Sequence, residues 1–545
     1  MHFRLYRYST RHCRGGRSLA PAPSLILSRL MFGYPYRFIK AVLLMEALVD
    51  AWLNFQVVMV NCRGIWSRFS GFSRAEAVSP VRAPGIAARG SKIVTSSIQR
   101  QPNPLLKGSF PILVFFLFAI FSACVESVPF VAKVRPQLIL AVLGLLAVLA
   151  TGQFAKALKT PIGKCIAIFT VWFIACIPFG SWPGGSFGVF TEYWYKSALI
   201  YFLAAGLLTT LPQANRLYHT IAYAVFVLSL LTLLKNNRTN EGRLILDNTR
   251  YANPNDLAWT LLLGLIFAGF LYLRGTRLQK VIAVLMAPPI LLALSRTGSR
   301  SGELGAGFLF VAMLVQAKRQ TRIRLLVSVP IVFLAILFLV PKGLRERYAT
   351  FGGTIEMNYN PLTKTETMIR GTIGSAEARK QLLKDSLAIT MRYPLLGVGP
   401  GNFQVEQDKL AKARGEKSMW HVTHNTYTEI SSEMGAVGLF IYLALLFNVF
   451  KILNSIIRTR YPGPAWQNLR QLARTLRAAF IVLLPVAFFC SMGYHTEVPI
   501  LAGLATALGF MAQKQRAIDR AASAEVVPTD SLPAPGLEPV AVGRY

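Results

Sequence analysis

The polar residues from His421 to Glu433 include the side chains best suited to catalysis. They stand at the end of the one long polar segment in a chain that is otherwise largely apolar. An imidazole titrates near neutral pH and can take a proton from a hydroxyl group, so His424 is a candidate general base. Asn425 follows it directly. Glu429 and Glu433 lie one turn and two to three turns further on, where a carboxylate could fix the tautomer of the imidazole.

Two other interpretations of this stretch stay open. His421 and His424 could begin a metal site, but no compact third ligand follows and the HExxH spacing is absent. A lone histidine can also be a structural residue whose nitrogens are satisfied by its neighbours. We favour the general base, because His424 precedes a predicted membrane span and arginines are predicted on the same side of the membrane.

A second polar stretch, Ser295-Arg-Thr-Gly-Ser-Arg-Ser301, joins two apolar runs by a short hairpin. Glycines and small hydroxyl residues let a backbone approach a ligand closely, and Ser299 or Ser301 could cap the following helix, whose N-terminus attracts phosphate. Arg296 and Arg300 offer forked donors that suit phosphate oxygens, and we favour Arg296. The alternative is a tight turn whose arginines reach the lipid head groups.

A third stretch runs from Arg250 to Asp256 and has the pattern of a helix start. Asn253 is the predicted N-cap, Pro254 suits the first helical position, and Asp256 suits the first turn. That interpretation leaves Arg250 unexplained. We therefore expect Arg250 to join the arginines of the hairpin around one anion.

The long segment 342–432 is too extended and too polar for a simple connector, and loops of this length usually have a function. Residues 375–387 have helical spacing and predict an amphipathic helix lying on the membrane. On it, Arg379 is either a surface charge or a fourth ligand of the anion. Residues 393–403 are rich in glycine and proline and predict a structural turn.

The composition explains why these stretches stand out. The chain has 545 residues, of which 53% are hydrophobic, and a positive mean hydropathy, which excludes the usual soluble classes. The net charge is +35, from 59 basic and 24 acidic residues. Basic cytoplasmic loops of a membrane protein explain this charge better than nucleic-acid binding does, because no basic domain lies outside the apolar part. The six cysteines are scattered and predict neither a metal site nor a disulfide framework.

Apolar runs close to the ~20 residues that cross a bilayer recur from residue 110 onward, and each should be a helix. The predicted fold is therefore an all-α, polytopic transmembrane bundle. Its twelve candidate spans lie near 110–128, 137–152, 162–180, 197–212, 216–234, 255–273, 279–294, 302–317, 324–341, 433–454, 478–494 and 496–513.

The predicted domains are a basic, poorly ordered N-terminal extension over 1–105, a transmembrane domain over 106–513 and a disordered tail over 514–545. The transmembrane domain includes the outer loop 342–432. The extension has one apolar run, 41–60, which contains Glu46 and Asp50 and makes a poor span. Whether the extension belongs to the native protein is an open question, because Met31, Met45 and Met59 are alternative starts.

Loop charge orients the predicted bundle. If the residue before the first span is cytoplasmic, the inside loops contain most of the lysines and arginines, and both termini are cytoplasmic. Three outer positions oppose this rule: the loop that contains Arg238, Arg243 and Arg250, the hairpin with Arg296 and Arg300, and the segment 342–432. Basic residues placed against the orientation rule indicate anion binding.

Taken together, these stretches resemble the superfamily of O-antigen ligases and polymerases. The likeness covers about 110 to 513 and includes the large outer loop between the ninth and tenth spans. The residues that resemble it are Arg250-Tyr-Ala-Asn-Pro-Asn255, Ser295-Arg-Thr-Gly-Ser299, Arg379, Pro394-Leu-Leu-Gly-Val-Gly-Pro-Gly-Asn-Phe403, His424-Asn-Thr-Tyr427 and Glu433-Met-Gly-Ala-Val-Gly438.

The resemblance implies an inner-membrane glycosyltransferase whose site faces the periplasm. Such enzymes take a glycan from undecaprenyl pyrophosphate and pass it to a hydroxyl of a glycan, of the lipid A core or of a protein. They use no cofactor, nucleotide sugar or metal. The implied roles are base for His424, pyrophosphate ligands for the outer arginines, and support for Asn425, Glu429 and Glu433. Attack opposite the leaving group would invert the anomeric centre.

Two rival functions are a transporter of lipid-linked sugars and a membrane scaffold. A transporter should place charged residues at mid-membrane, often in broken helices of repeated halves. Here the distinctive polar residues are predicted at the outer face and no internal repeat is visible. A scaffold would not need the outer arginines. We therefore favour the enzyme.

Overall fold

A computed structural model describes residues 104–317, 319–339, 364–416 and 420–525. The predictions for the N-terminal extension, including the run 41–60, lie outside these residues, apart from its last two positions. So do residues 342–363 and 417–419 of the predicted outer loop and the tail from residue 526.

The described part of the chain is mostly helical, as the apolar runs predict. One two-stranded antiparallel sheet pairs Asn237–Arg238 with Leu244–Ile245, and Asn237 lies opposite Ile245. The elements are α1 (Pro104–Ser122), α2 (Cys124–Ser127), α3 (Pro129–Val134), α4 (Pro136–Ala150), α5 (Gln153–Leu158), α6 (Pro161–Cys176), α7 (Pro183–Val189), a π-helix (Phe190–Trp194), α8 (Tyr195–Leu207), α9 (Leu211–Lys235), β1 (Asn237–Arg238), β2 (Leu244–Ile245), α10 (Pro254–Arg274), α11 (Arg277–Arg296), α12 (Arg300–Gln316), α13 (Arg319–Leu339), α14 (Lys364–Arg392), α15 (Phe403–Ala413), α16 (Thr426–Arg458), α17 (Pro464–Val486) and α18 (Glu497–Glu525).

Each of the twelve predicted spans overlaps one of these helices. Six stretches of the described chain are long and apolar enough to cross a membrane: Pro104–Ser122, Pro129–Ala150, Leu211–Lys235, Pro254–Arg274, Arg277–Arg296 and Thr426–Arg458. A multi-pass membrane protein is consistent with these helices, while the number of twelve spans and the outer position of the long loop stay predictions.

The interior of the bundle is built around α10. Trp259, Leu262 and Phe267 on this helix are fully buried. Helix α10 packs against α9, α11, α12 and α17, and α8 packs against α18. The first turn of α10 is thereby held beside the elements that form the candidate site.

Helix α17 ends earlier than its apolar run predicts. The predicted span 478–494 is wrong at its C-terminal end, because the helix stops at Val486. Pro485 stands in the last turn, and residues 487–496 form a loop before α18 begins at Glu497. Phe488, Phe489 and Cys490 continue the apolar run in sequence, so hydropathy alone does not reveal this change of direction.

Helix α16 is interrupted at Gly435, whose φ is 71°. A Cβ atom there would collide with the carbonyl oxygen of Leu395, in the turn that follows α14. The backbone N–H of Ala436 donates to the carbonyl of Pro394 at 2.7 Å. The glycine-rich turn 393–403 is therefore attached to the break in α16, and glycine is required because this φ is unfavourable for other residues.

The last helix extends further than the sequence predicts. Helix α18 continues to Glu525, so residues 514–525, which we assigned to a disordered tail, are helical. Trp466 of α17 donates from its indole N–H to Asp519 at 2.6 Å. Contacts of this kind with a neighbouring helix stabilise a polar helix end that has no apolar stripe of its own.

Candidate functional site

His424 lies in the short loop before α16 and has a left-handed backbone, with φ at 53°. Its backbone N–H donates to Ser491 Oγ at 3.0 Å, which ties this loop to the loop 487–496. Asn425 caps α16 by accepting from the N–H groups of Tyr427 at 3.0 Å and Thr428 at 3.2 Å. A left-handed non-glycine residue costs on the order of 1 kcal/mol and is typical of functional sites.

The half-buried imidazole of His424 is kept neutral at neutral pH. Burial, together with the positive charges of Arg379, His421 and Arg243, lowers its pKa to about 4. Arg379 lies on α14, which confirms the predicted helix for residues 375–387. A neutral imidazole can accept a proton, and the same cations would stabilise an anion placed beside it.

A cavity of about 290 Å³ opens beside His424. Its walls come from the start of α10, the π-helix, the start of α16 and the loops 397–404 and 487–496. Three of the predicted site residues line it: His424, Glu429 and Glu433. Within the described part of the chain, the lining does not include the four predicted arginines, which are Arg250, Arg296, Arg300 and Arg379.

Glu433 binds two loops of the site together. Its carboxylate accepts from Gly401 N at 2.7 Å, Phe403 N at 3.3 Å and the hydroxyl of Tyr494 at 2.8 Å. The bond to Phe403 also satisfies the N-terminus of α15. Glu429 accepts from Gly493 N at 2.9 Å. Both carboxylates therefore support the site by positioning loops, not by bonding to the imidazole as the sequence suggested.

Arg250 does not line the cavity, and its side chain is paired with a carboxylate. Its guanidinium contacts Glu497 at 2.5 Å and Thr496 Oγ1 at 2.7 Å, and its backbone N–H donates to Glu126 at 2.9 Å. Burial acts to lower the pKa of Arg250, but the carboxylate of Glu497 outweighs it and the pKa rises. The predicted pattern of Asn253, Pro254 and Asp256 at the start of α10 is confirmed.

The hairpin between α11 and α12 contacts two residues of the cavity wall, Asn255 and Cys490, through its serines. Ser299 caps α12, as predicted, and its hydroxyl donates to Asn255 Oδ1 at 2.8 Å. Ser301 lies 3.6 Å from the thiol of Cys490. Arg296 ends α11 with a buried Nε that has no hydrogen bond within the described residues, and Arg300 begins α12.

Arg243 is a site residue that we did not single out from the sequence. Its Nε donates to the carbonyl of Thr297 at 2.9 Å and its Nη2 donates to Asn255 Oδ1 at 2.9 Å. Asn255 lines the cavity, and the charge of Arg243 acts on His424. The signal was present, because Arg243 is one of the outer arginines that oppose the orientation rule, but no local motif marks it.

The loop 487–496 was also missed. Ser491, Tyr494 and His495 all line the cavity, and burial raises the pKa of the neighbouring Cys490 thiol to about 12. The only signal for this loop is the polar run from Gly493 to Glu497 between two apolar runs. Among the described residues, groups of three or more His, Cys, Asp or Glu side chains that could hold a metal ion are not found.

Comparison with curated proteins finds no match for this chain. A family model described as O-antigen ligase does match it, over residues 281–443. The matched region includes the hairpin with Arg296, the helix with Arg379, the glycine-rich turn and His424, but neither Arg243 nor the loop 487–496. The match indicates a membrane glycosyltransferase of the ligase or polymerase type and offers no support for a transporter. Residues 281–443 of this chain thus match the O-antigen ligase family, which confirms the resemblance seen in its motifs.

Proposed function

We propose that this protein transfers a glycan from undecaprenyl pyrophosphate to an acceptor hydroxyl, as an O-antigen ligase or polymerase does. The observation that supports this most strongly is the cavity beside His424. There, the imidazole is neutral at pH 7, and the positive charges of Arg379 and Arg243 help to lower its pKa. A base and fixed positive charge in one place suit the deprotonation of a hydroxyl next to a phosphate leaving group.

In this reaction His424 takes the proton of the acceptor hydroxyl while the acceptor oxygen attacks the anomeric carbon. The bond between that carbon and the pyrophosphate oxygen breaks, and the electron pair leaves with the pyrophosphate. Attack from the opposite face inverts the anomeric centre. Arg379 and Arg243 stabilise the charge of the leaving group, so the step proceeds without a metal ion.

Donor binding would also prepare the base. The cations that lower the pKa of His424 are the groups that a pyrophosphate would neutralise. Once the anion is bound, their effect on the imidazole weakens and its pKa rises. The base therefore becomes stronger only when a donor is present. Acceptor hydroxyls are then deprotonated in the complex and not in the empty site.

The proposal gives different roles to the other predicted arginines, Arg296, Arg300 and Arg250. Arg296 ends α11 next to Thr297, whose carbonyl accepts from Arg243, and Arg300 begins α12. They would hold the outer part of the pyrophosphate. Arg250 is paired with Glu497 and can bind phosphate only if it releases that carboxylate. We place Arg243 and Arg379 first among the donor ligands, because the charges of both act on His424.

The proposed location is the inner membrane of a bacterium, with the cavity facing the periplasm and both termini in the cytoplasm. This orientation follows from the bias of lysine and arginine toward the other loops. The acceptor would be a growing glycan, the lipid A core or a protein hydroxyl. Membrane lipids surround the bundle and deliver the carrier.

A deletion strain tests the proposal. Loss of all long surface chains, with polymer accumulating on the lipid carrier, is expected for a ligase, and single repeats on the surface are expected for a polymerase. Complementation with the native gene should restore the glycan, and the His424→Ala variant at equal protein level should not. An unchanged glycan profile in the deletion strain would overturn the proposal.

A further inference from the structure

The polar side chains that line the cavity fall into two groups. One group is used by the protein itself. Glu433 holds the loops at Gly401 and Tyr494, and Asn255 accepts from Arg243 and Ser299. These groups have little capacity left for a ligand, because their hydrogen bonds maintain the walls.

The side chains of the second group do not hold the cavity walls together. Tyr193, Asp256, Gln404 and His495 line the same cavity, and within the described residues none of their side chains makes a hydrogen bond. Asp256, Gln404 and His495 are half-buried, so they are shielded from bulk water on part of their surface. Tyr193 is exposed and the other three are half-buried, so all four side chains can still form hydrogen bonds with a polar ligand in the cavity.

The charges along the cavity indicate where the parts of the ligand lie. Arg379 and Arg243 act on His424, whereas Asp256 lines the cavity with the carboxylates Glu429 and Glu433. An anionic pyrophosphate is attracted to the cations that act on His424. The hydroxyl groups of a neutral sugar are good donors to a carboxylate.

An aromatic surface completes this part of the cavity. The rings of Tyr193 and His495 are nearly parallel, with an interplanar angle of 11° and centroids 6.0 Å apart. Tyr193 is 47% exposed, so its ring is open to a ligand. A sugar ring has an apolar face of C–H groups that can pack on such a surface while its hydroxyls reach polar side chains at the edge.

We propose that Tyr193, Asp256, Gln404 and His495 form a subsite for the sugar ring attached directly to the pyrophosphate of the donor. This inference rests on the proposed function and adds the residues that recognise the glycan. Asp256 and Gln404 bind hydroxyl groups, and Tyr193 with His495 supports the ring. The subsite contributes to selectivity for the sugar. The arginines bind the pyrophosphate of the carrier, whichever glycan it bears.

Binding measurements on the full-length protein in lipid nanodiscs test the subsite. One probe is undecaprenyl pyrophosphate without sugar, and the other is glycan-bearing carrier extracted from the deletion strain. Asp256→Asn and Gln404→Ala should each weaken binding of the glycan-bearing carrier about tenfold and leave the sugar-free carrier unchanged, because each removes about one hydrogen bond to a sugar hydroxyl. The matched control is Asp247→Asn, an exposed carboxylate outside the cavity lining.

The outcomes separate this inference from the proposed function. If wild-type protein binds neither carrier, the proposed function is overturned, and the subsite with it. If it binds both carriers and the two variants alter neither affinity, or alter both equally, the subsite alone is overturned. An effect confined to the KM for the acceptor would assign these residues to the acceptor and also overturn it. Thermal unfolding identifies a variant that does not fold. Asp256 and Gln404 lie on different helices, so if one variant misfolds, the binding data of the other variant test the subsite.

Discussion

Arg250 and Arg243 lie within one loop region but have different partners. Arg250 is paired with a carboxylate, Glu497, at the start of α18. Arg243 donates to the carbonyl of Thr297 and to Asn255, which lines the cavity, and its positive charge acts on His424. The comparison teaches that the position of its partners decides whether an arginine is held at the cavity or away from it. The residue type alone does not reveal this.

The largest effect should come from the base that those charges surround. His424→Ala should lower kcat/KM by about 10²- to 10⁴-fold, because it removes the proposed general base. The measurement is glycan transfer by purified protein, with surface glycan in cells as a second readout. His424→Gln retains polarity without basicity and should be equally inactive. Normal glycan in either variant, at equal protein level, would remove His424 from the mechanism.

The next effect separates the two arginines. Arg243→Ala should lower kcat/KM on the order of 10²-fold, since it removes a fixed charge near the leaving group. Arg243→Lys retains the charge without the forked donors and should lose less. Arg250→Ala should lower activity less than Arg243→Ala, and Arg250→Lys less again. Equal losses for Arg243→Ala and Arg250→Ala would show that pairing with Glu497 does not matter for donor binding.

For stability, we expect the opposite order: Arg250→Ala should be more destabilising than Arg243→Ala. Arg250→Ala leaves Glu497 without its cation and should lower the free energy of unfolding by about 1–3 kcal/mol. This is less than the ~3–5 kcal/mol of a fully buried pair, because the Arg250 side chain is 24% exposed. Chemical unfolding in detergent measures it.

The matched variant for this pair is the double substitution Arg250→Met with Glu497→Leu. It should recover much of the stability, since it leaves no unpaired charge. A double variant as unstable as Arg250→Ala would mean that the ion pair itself, and not the lone carboxylate, determines the loss.

A smaller effect concerns pH. Because the pKa of His424 is lowered to about 4, kcat/KM of the free enzyme should stay level as the pH falls past 6.5 and decline only near pH 4. Arg379→Gln removes one of the cations that lower this pKa, so the acid limb should move to higher pH. Arg250→Gln should leave the limb in place. A limb near pH 6.5 in the wild type would show that the imidazole is not shielded.

The smallest expected effect is that of metal removal. Thorough chelation with EDTA should leave glycan transfer within about twofold of the untreated rate, because guanidinium groups stabilise the leaving group in this mechanism. Adding Mg²⁺ back to the chelated protein is the control. A strict requirement for a divalent cation would contradict the role given to Arg243 and Arg379.

Much of the helical architecture was predictable, because hydropathy and helix caps are local signals. Asn253 and Ser299 cap the helices that their side chains predict. The end of α17 was not predictable in this way, because Phe488 and Phe489 are as apolar as the helix before them. The loop that they begin turns back over the cavity for reasons of packing, and the hydrogen bond from Gly493 to Glu429 holds it there.

Some residues of the candidate site were likewise predictable from the sequence, and others were not. His424 and Glu433 were visible in one short polar stretch, and the structure brings both to the cavity. Asp256 was explained by its place in the first turn of α10, and that explanation concealed its second feature, a carboxylate that faces the cavity. A local sequence pattern can explain why Asp256 starts a helix. Its position in the cavity depends on residues that are distant in sequence and becomes visible only in the tertiary structure.

The sequence by itself determined that this chain is helical and apolar, that His424 stands at the start of a long helix, and that arginines lie against the orientation rule. These properties depend on neighbours a few positions away. Only the tertiary structure decided that Arg250 pairs with Glu497 and which loops enclose the cavity. Arg250 and its partner Glu497 are 247 positions apart, and no local pattern can pair side chains over such a separation.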